Sequence, residues 1–280
     1  MSAAVATEID VRAKWPGIVL IGALTGLLSG LLGIGGAAIL VPGMVDLLGM
    51  SQHRATGTSL FVIIPSAFFS AIVYALNGQM DWPLVAMFSL MAVLGATLGA
   101  RATGRISAAN LRRLFGIFLL FVAARTLIPG GTSGSGRSFE VNLLTQSPIL
   151  TVGEGLLGLL AGFLSGLLGI GGGQVLTPGM VFLFDFPQKL AQGISIAFIV
   201  PTAISGALTH YRRGNVVPRV GLLLMPASIL TSLLGAWIAQ HADPSSLRLG
   251  FGIFLVYAAT RMLAPKLFRL TLRRLGGSQA

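Results

Sequence analysis

The sequence contains no cysteine, and among its 280 residues only 8 are acidic and 3 are histidine. Without cysteine there are no disulfides and no thiolate metal sites. The histidines, His53, His210 and His241, are too far apart to give a metal-ligand spacing, so no metal is expected. Most of the acids (Glu8, Asp10, Asp46, Asp81, Glu140, Glu154, Asp185, Asp243) fall in loops or near the ends of apolar segments. An intramembrane carboxylate relay is therefore not visible. Neither H-E-x-x-H nor G-x-S-x-G occurs, and no nucleophile–base pair stands out. The chain reads as a non-enzyme with no catalytic residue and no cofactor. Charged residues make up 10% of it, against about 25% in ordinary soluble domains.

What the chain has instead is apolar length. Hydrophobic residues are 54% of the total and the mean hydropathy is +0.86. A soluble domain of that composition could not keep a wettable exterior. Apolar runs lie near 17–48, 55–76, 83–101, 109–128, 149–186, 190–211, 217–240 and 246–264, and about 20 helical residues cross a bilayer. The expected fold class is all-α, a polytopic bundle of membrane helices in the lipid bilayer. No signal-peptide pattern leads the first fifteen residues. The net charge of +11 does not point to nucleic acid, because the basic residues sit between apolar segments, as cytoplasmic loops do.

The chain is also internally duplicated. LSGLLGIGG occupies residues 28–36 and again 164–172, a shift of 136. At the same shift Pro42-Gly43-Met44 falls on Pro178-Gly179-Met180, Ser59 on Ser195, Pro65 on Pro201 and Arg125 on Arg261. The expected organisation is a first membrane repeat at 17–129, a Gly/Ser-rich linker at 130–148, a second repeat at 149–265 and a basic tail at 266–280. Duplicated halves are typical of transporters.

Loop charges decide between two topologies. If each half crosses four times, ten countable basic residues fall inside and seven outside. If the first segment of each half breaks and re-enters, the halves are inverted and the split becomes fourteen to three, with both termini cytoplasmic. The inverted arrangement is preferred, although a full crossing plus one further span would score the same. Arg125 and Arg261, near segment ends, either snorkel to the interface or guide an anion. The tail anchors on the anionic inner leaflet.

The predicted breaks are Gly33-Ile-Gly35-Gly36 and Gly169-Ile-Gly171-Gly172-Gly173. Consecutive glycines weaken a helix by roughly 1 kcal/mol each relative to alanine. Broken backbone at membrane depth survives only inside protein or beside a watery cavity. Each half-helix that restarts presents free N–H groups and a positive dipole end, a ready anion site. Two such ends meeting at the midplane make one site with approximate two-fold symmetry. By contrast, the rows Gly22, Gly26, Gly30 and Gly158, Gly162, Gly166 read as close helix packing. The loose dinucleotide form G-x-G-x-x-A at Gly33–Ala38 is rejected: it lacks a βαβ context and a following acid, and its second copy ends in Gln174. Candidate ligands beside the glycines are Ser59, Ser195, Gln174 and Thr177. Serine in a membrane helix more often bonds its own backbone or a neighbour. The counterparts of Gln174 and Thr177 are Ala38 and Val41, so the halves are not equivalent.

These residues carry a resemblance. Gly30-x-x-Gly33-x-Gly35-Gly36 with Pro42, and Gly166-x-x-Gly169-x-Gly171-Gly172-Gly173 with Pro178, are each followed by an A-x-G-x-S run, at Ala55–Ser59 and Ala191–Ser195. The pattern resembles the sulfite exporter TauE/SafE family of bacterial and archaeal permeases, over nearly the whole chain. Ala37 stands where a third glycine is common, and Ile194 replaces the threonine of the first copy. The resemblance implies a secondary transporter in the cytoplasmic membrane that exports sulfite or a related organosulfur anion by alternating access, with protons a possible coupling ion. An anion channel, or a permease for another small organic anion, is the alternative.

Overall fold

The computed structural model describes residues 15–102, 108–127, 148–168 and 171–264. Gly169, the basic tail and all of the expected linker except Pro148 lie outside the described residues. Ten α-helices and no strand are present among them: α1 (Trp15–Leu32), α2 (Ala37–Leu48), α3 (Gln52–Leu76), α4 (Trp82–Ala102), α5 (Ala108–Leu127), α6 (Pro148–Leu168), α7 (Gly173–Leu183), α8 (Gln188–Arg212), α9 (Pro218–His241) and α10 (Pro244–Leu263). Among the described residues, seven helices are long and apolar enough to cross a membrane: α1, α3, α4, α6, α8, α9 and α10. The protein is a multi-pass membrane protein.

Two of the eight apolar runs are each a pair of helices. α1 stops at Leu32 and α2 starts at Ala37; Gly33, Gly35 and Gly36 between them have φ of 68°, 80° and 63°. Side chains other than glycine rarely adopt that left-handed backbone. The chain then reverses. Gly36 lies against Thr25, Gly43 against Ile21 and Leu47 against Gly17, so α2 runs back along α1. The same happens at the second glycine run. Gly171 and Gly172 have φ of 79° and 77°. Gly172 meets the Ala161 carbonyl, Gly179 meets Leu157, and Phe184 meets Gly153.

Packing follows side-chain size. Large apolar side chains face outward: Leu20 and Leu24 on α1, Leu90, Leu94 and Leu98 on α4, Leu156 and Leu160 on α6, Leu230 and Leu234 on α9. Lipid tails are as apolar as leucine, so these faces gain little from turning inward. Glycine faces inward instead. On α1, Gly22, Gly26 and Gly30 press against the backbone carbonyls of Leu224, Ser228 and Ser232 on α9. On α6, Gly158, Gly162 and Gly166 press against Phe88, Ala92 and Ala96 on α4. α1–α9 and α4–α6 are the two most extensive helix pairs, and helices in both run parallel. Each pair joins helices from both sides of the 130–148 linker.

The centre is formed by α3 and α8, which run antiparallel: Gly57 lies against Asn215, Leu60 against Gly206, and Tyr74 against Gly193. α8 is the most enclosed of the seven spans. One end of the bundle gathers Arg54, Arg101, Arg212, Arg213 and Arg219; Arg213 Nη1 donates to the Ala100 carbonyl of α4 at 2.6 Å. At the opposite end Lys189 Nζ donates to the Gln240 carbonyl at 2.9 Å. Arg261 does more than reach the interface: it pairs with Asp46 at 3.1 Å, tying α10 to the last turn of α2. The matched positions, Arg125 and Phe182, cannot pair in this way. Glu154 departs from the sequence expectation for acids, since it is fully buried within α6.

A Cβ at Gly162 would enter the backbone of Ala92, whereas one at Gly250 meets nothing within 4 Å. Gly162→Leu is expected to destabilise the fold by about 3 kcal/mol, at the upper end of overpacking effects. Gly250→Ala is expected to leave the melting midpoint in detergent unchanged or slightly raised. Equal midpoints for the two variants would refute the backbone-contact account of α4–α6.

Candidate functional site

The two glycine breaks meet. A Cβ built on Gly171 would lie 3.9 Å from the Gly35 Cα and 4.0 Å from Ile199 Cγ2, and one on Gly35 would lie 3.1 Å from Ile199 Cδ1. Ile199 is halfway along α8. The breaks therefore face each other at the middle of the central helix pair. Space there is tight. Added Cβ atoms at Gly33 and Gly172 would stand 2.8 Å from the Gln192 Cα and from Phe198 Cε1. At Gly36 the obstacle is Thr25.

Polar groups converge on one oxygen. α1 has ended by Gly33, and the carbonyl of Gly33 is received by two hydroxyls: Ser195 Oγ donates to it at 2.9 Å and Thr177 Oγ1 at 3.3 Å. The same oxygen lies against Gly173, the first residue of α7. α7 starts with Gly172 as its left-handed N-cap and no side chain caps it; α2 starts the same way at Gly36. The first N–H groups of such helices have no intrahelical partner. The Gly33 oxygen, with its partial negative charge, thus lies beside the start of α7, where the Thr177 and Ser195 hydroxyls hold it.

Gln174 sits one residue further on. It is fully buried, and neither its Oε1 nor its Nε2 has a hydrogen-bond partner in the protein. Leaving a buried amide unmade costs about 1–3 kcal/mol per group. Native structures keep few such groups, and those retained call for a functional explanation. Ser29 and Ser165, at matched positions before the breaks, are also buried with partnerless hydroxyls.

Of the residues singled out from sequence, Gly33, Gly35, Gly36, Gly171, Gly172, Gly173, Gln174, Thr177 and Ser195 come together at this point. Gly169 lies outside the described residues. Ser59 is buried in α3, and its Oγ donates to the Thr56 carbonyl of its own helix at 2.8 Å, as serines in membrane helices commonly do. Two contributors were missed by the sequence reading. Gln192, matched to Thr56, backs Gly33 directly. Tyr74 donates its hydroxyl to the Gly30 carbonyl at 3.0 Å and approaches the Gln192 amide at 3.4 Å. Gln192 lies inside the repeated A-x-G-x-S run, so a polar residue at that x was the available signal. Nothing in the sequence marked Tyr74.

Because either hydroxyl can serve the Gly33 carbonyl, Ser195→Ala and Thr177→Val should each cost less than about 1 kcal/mol. The double variant should cost about 2–3 kcal/mol, more than the sum, since it orphans a buried acceptor. Thermal unfolding in detergent reads this, and strict additivity would contradict the shared-acceptor geometry.

The family model described as "Sulfite exporter TauE/SafE" matches residues 3–126 and 155–279. "Probable membrane transporter protein YunE" of Bacillus subtilis (strain 168) is 26% identical over 268 residues, spanning 90% of this chain and 98% of that protein. A Methanocaldococcus jannaschii protein, also named a probable membrane transporter, is 28% identical over 257 residues, spanning 86% and 92%. One from Haemophilus influenzae is 27% identical over 262 residues, spanning 87% and 96%. No solved structure gives a significant match. With a family match on both sides of the linker and relatives aligned almost end to end, this multi-pass protein belongs to the sulfite exporter TauE/SafE family of membrane transporters.

Proposed function

We propose that the protein exports sulfite, or a related small organosulfur anion, across the cell membrane by alternating access. The observation that carries this reading is the oxygen held at the start of α7. Two hydroxyls, one from α7 and one from α8, receive the Gly33 carbonyl beside the uncapped start of α7, while the Gln174 amide next to it has no partner. An oxyanion offers the same acceptor chemistry with full charge. Charge-assisted hydrogen bonds are roughly twice as strong as neutral ones, so an anion oxygen is a better occupant than the carbonyl once the α1–α2 hairpin shifts. Gly33, Gly35, Gly36 and Gly171–Gly173 supply backbone, and Gln174, Thr177 and Ser195 supply side chains.

The two hairpins contribute to this site from opposite directions, in keeping with inverted halves that rock about it. Pro65 and Pro201, midway along α3 and α8, remove an N–H each and are natural bending points. The arginine-rich end is the cytoplasmic one by the positive-inside rule, which places both termini in the cytoplasm. Its positive potential draws anions toward the entrance. No proximate metal cluster is found among the described residues.

The test is movement of labelled sulfite in proteoliposomes, with and without a proton gradient. Gln174→Leu should raise the half-saturating sulfite concentration roughly tenfold or more, as expected for a lost hydrogen bond to a charged group. Gly35→Leu should abolish movement while the protein still inserts. Wild-type half-saturation in Gln174→Leu would overturn the site assignment. Absence of sulfite movement in folded wild-type protein would remove sulfite as the substrate.

A further inference from the structure

The long central helices each hold one hairpin by a ring side chain, and the two rings differ. On α3, Tyr74 donates its hydroxyl to the Gly30 carbonyl at 3.0 Å. On α8, His210 places Nε2 3.4 Å from the Gly166 carbonyl. The 136-residue shift that relates the repeated sequence carries residue 74 to 210 and residue 30 to 166, so the two contacts occupy the same place. Both glycines lie in the last turn before a break, and both are wedged against a neighbouring helix backbone: Gly30 against Ser232, Gly166 against Ala96.

A carbonyl only accepts, so the hydrogen of His210 in this contact is on Nε2. That leaves Nδ1 as a bare lone pair. It is buried, and it has no partner in the protein; the whole residue is 1% exposed. The basic side chains that act on the ring electrostatically are Arg213 from the end of α8 itself and His53 from α3. α4 brings Arg101, whose side chain is exposed, and the last described turn of α6 brings no titratable group. A proton taken from water by Nδ1 makes an imidazolium whose Nε2–H bond to Gly166 is strengthened, but it also creates a second buried donor with no acceptor in the protein and a charge cut off from water. Two basic neighbours oppose that charge. Movement of α6 away from α8, letting water reach the ring, relieves both. Imidazole has a basic nitrogen that can take up a proton and a phenol hydroxyl has none, so only one of the two matched contacts responds to proton binding.

We propose that Nδ1 of His210 is a proton-binding site, and that a proton bound there releases the α6–α7 hairpin while the Tyr74 contact keeps the α1–α2 hairpin in place. The site gives alternating access a coupling ion, and in that respect it rests on the transport reading above.

The absence of cysteine allows a test that needs no substrate. Ser165→Cys and Ser29→Cys place a single thiol at matched buried positions, one in each hairpin. The ratio of their labelling rates cancels the thiol's own pH dependence. On lowering the pH from about 8 to the lowest pH at which the fold is retained, that ratio should rise at least threefold in favour of Ser165→Cys, as His210 takes up the proton. His210→Tyr, which installs the ring already used at the matched position, should make the ratio flat. His210→Gln, which can still donate to Gly166 but does not titrate, should do the same. A flat ratio with His210 present would overturn the proposal. So would an unchanged rise in either variant. The predicted labelling pattern in a protein that moves no sulfite would support the latch and count against the transported anion instead.

Discussion

Inside a membrane a peptide carbonyl that leaves a helix has no water to turn to, and the Gly33 carbonyl is in that position. Its two donors come from α7 and α8, on the far side of the linker. That single requirement constrains much else. α8 must carry a serine facing the break and must lie close enough to reach it. Three of the four residues between α1 and α2 must be glycines, because φ of 63–80° beside Gln192, Ile199 and Thr25 leaves no room for a side chain. The second break must stand opposite the first for Thr177 of α7 to reach the same oxygen. A buried polar network tolerates no vacancies cheaply, and Gln174 stands out because both its amide oxygen and its amide nitrogen lack a partner.

The framework around this point is built on the opposite rule to a soluble core. Leucine rows face out and glycine rows face in. In hydrocarbon the gain from helix contact comes from close packing and from hydrogen bonds across the approach. Both are visible where α3 meets α9: Ser70 Oγ donates to the Ser232 carbonyl and Ser232 Oγ to the Ser66 carbonyl, each at 3.0 Å.

Positions related by the 136-residue shift carry diverged side chains. Ala38 and Gln174 share a place, as do Val41 and Thr177, Thr56 and Gln192, Tyr74 and His210, and Asp46 and Phe182. The glycines and prolines recur because backbone geometry recurs. The differing residues are the polar and titratable ones, so chemistry has been assigned unequally to two similar hairpins. The Arg261–Asp46 pair adds to the asymmetry by tying only the first hairpin to a terminal helix.

The sequence by itself determined the all-helical membrane class, the positions of both breaks and the duplication, because apolar length, consecutive glycines and a fixed shift are local properties of the chain. It also marked the glycine rows as packing surfaces, since a spacing of four puts them on one helix face. The tertiary structure alone decided that the hairpins fold back, that Ser195 and Thr177 serve the Gly33 carbonyl rather than their own helices, and that Gln174 has no partner. It placed Tyr74 and His210 against glycine carbonyls 44 residues away in the chain, and it buried Glu154 where the sequence put most acids near the ends of segments. The physical reason is that a hydrogen-bond partner in a helical bundle is set by register between helices far apart in sequence, and spacing along one helix carries no information about that register.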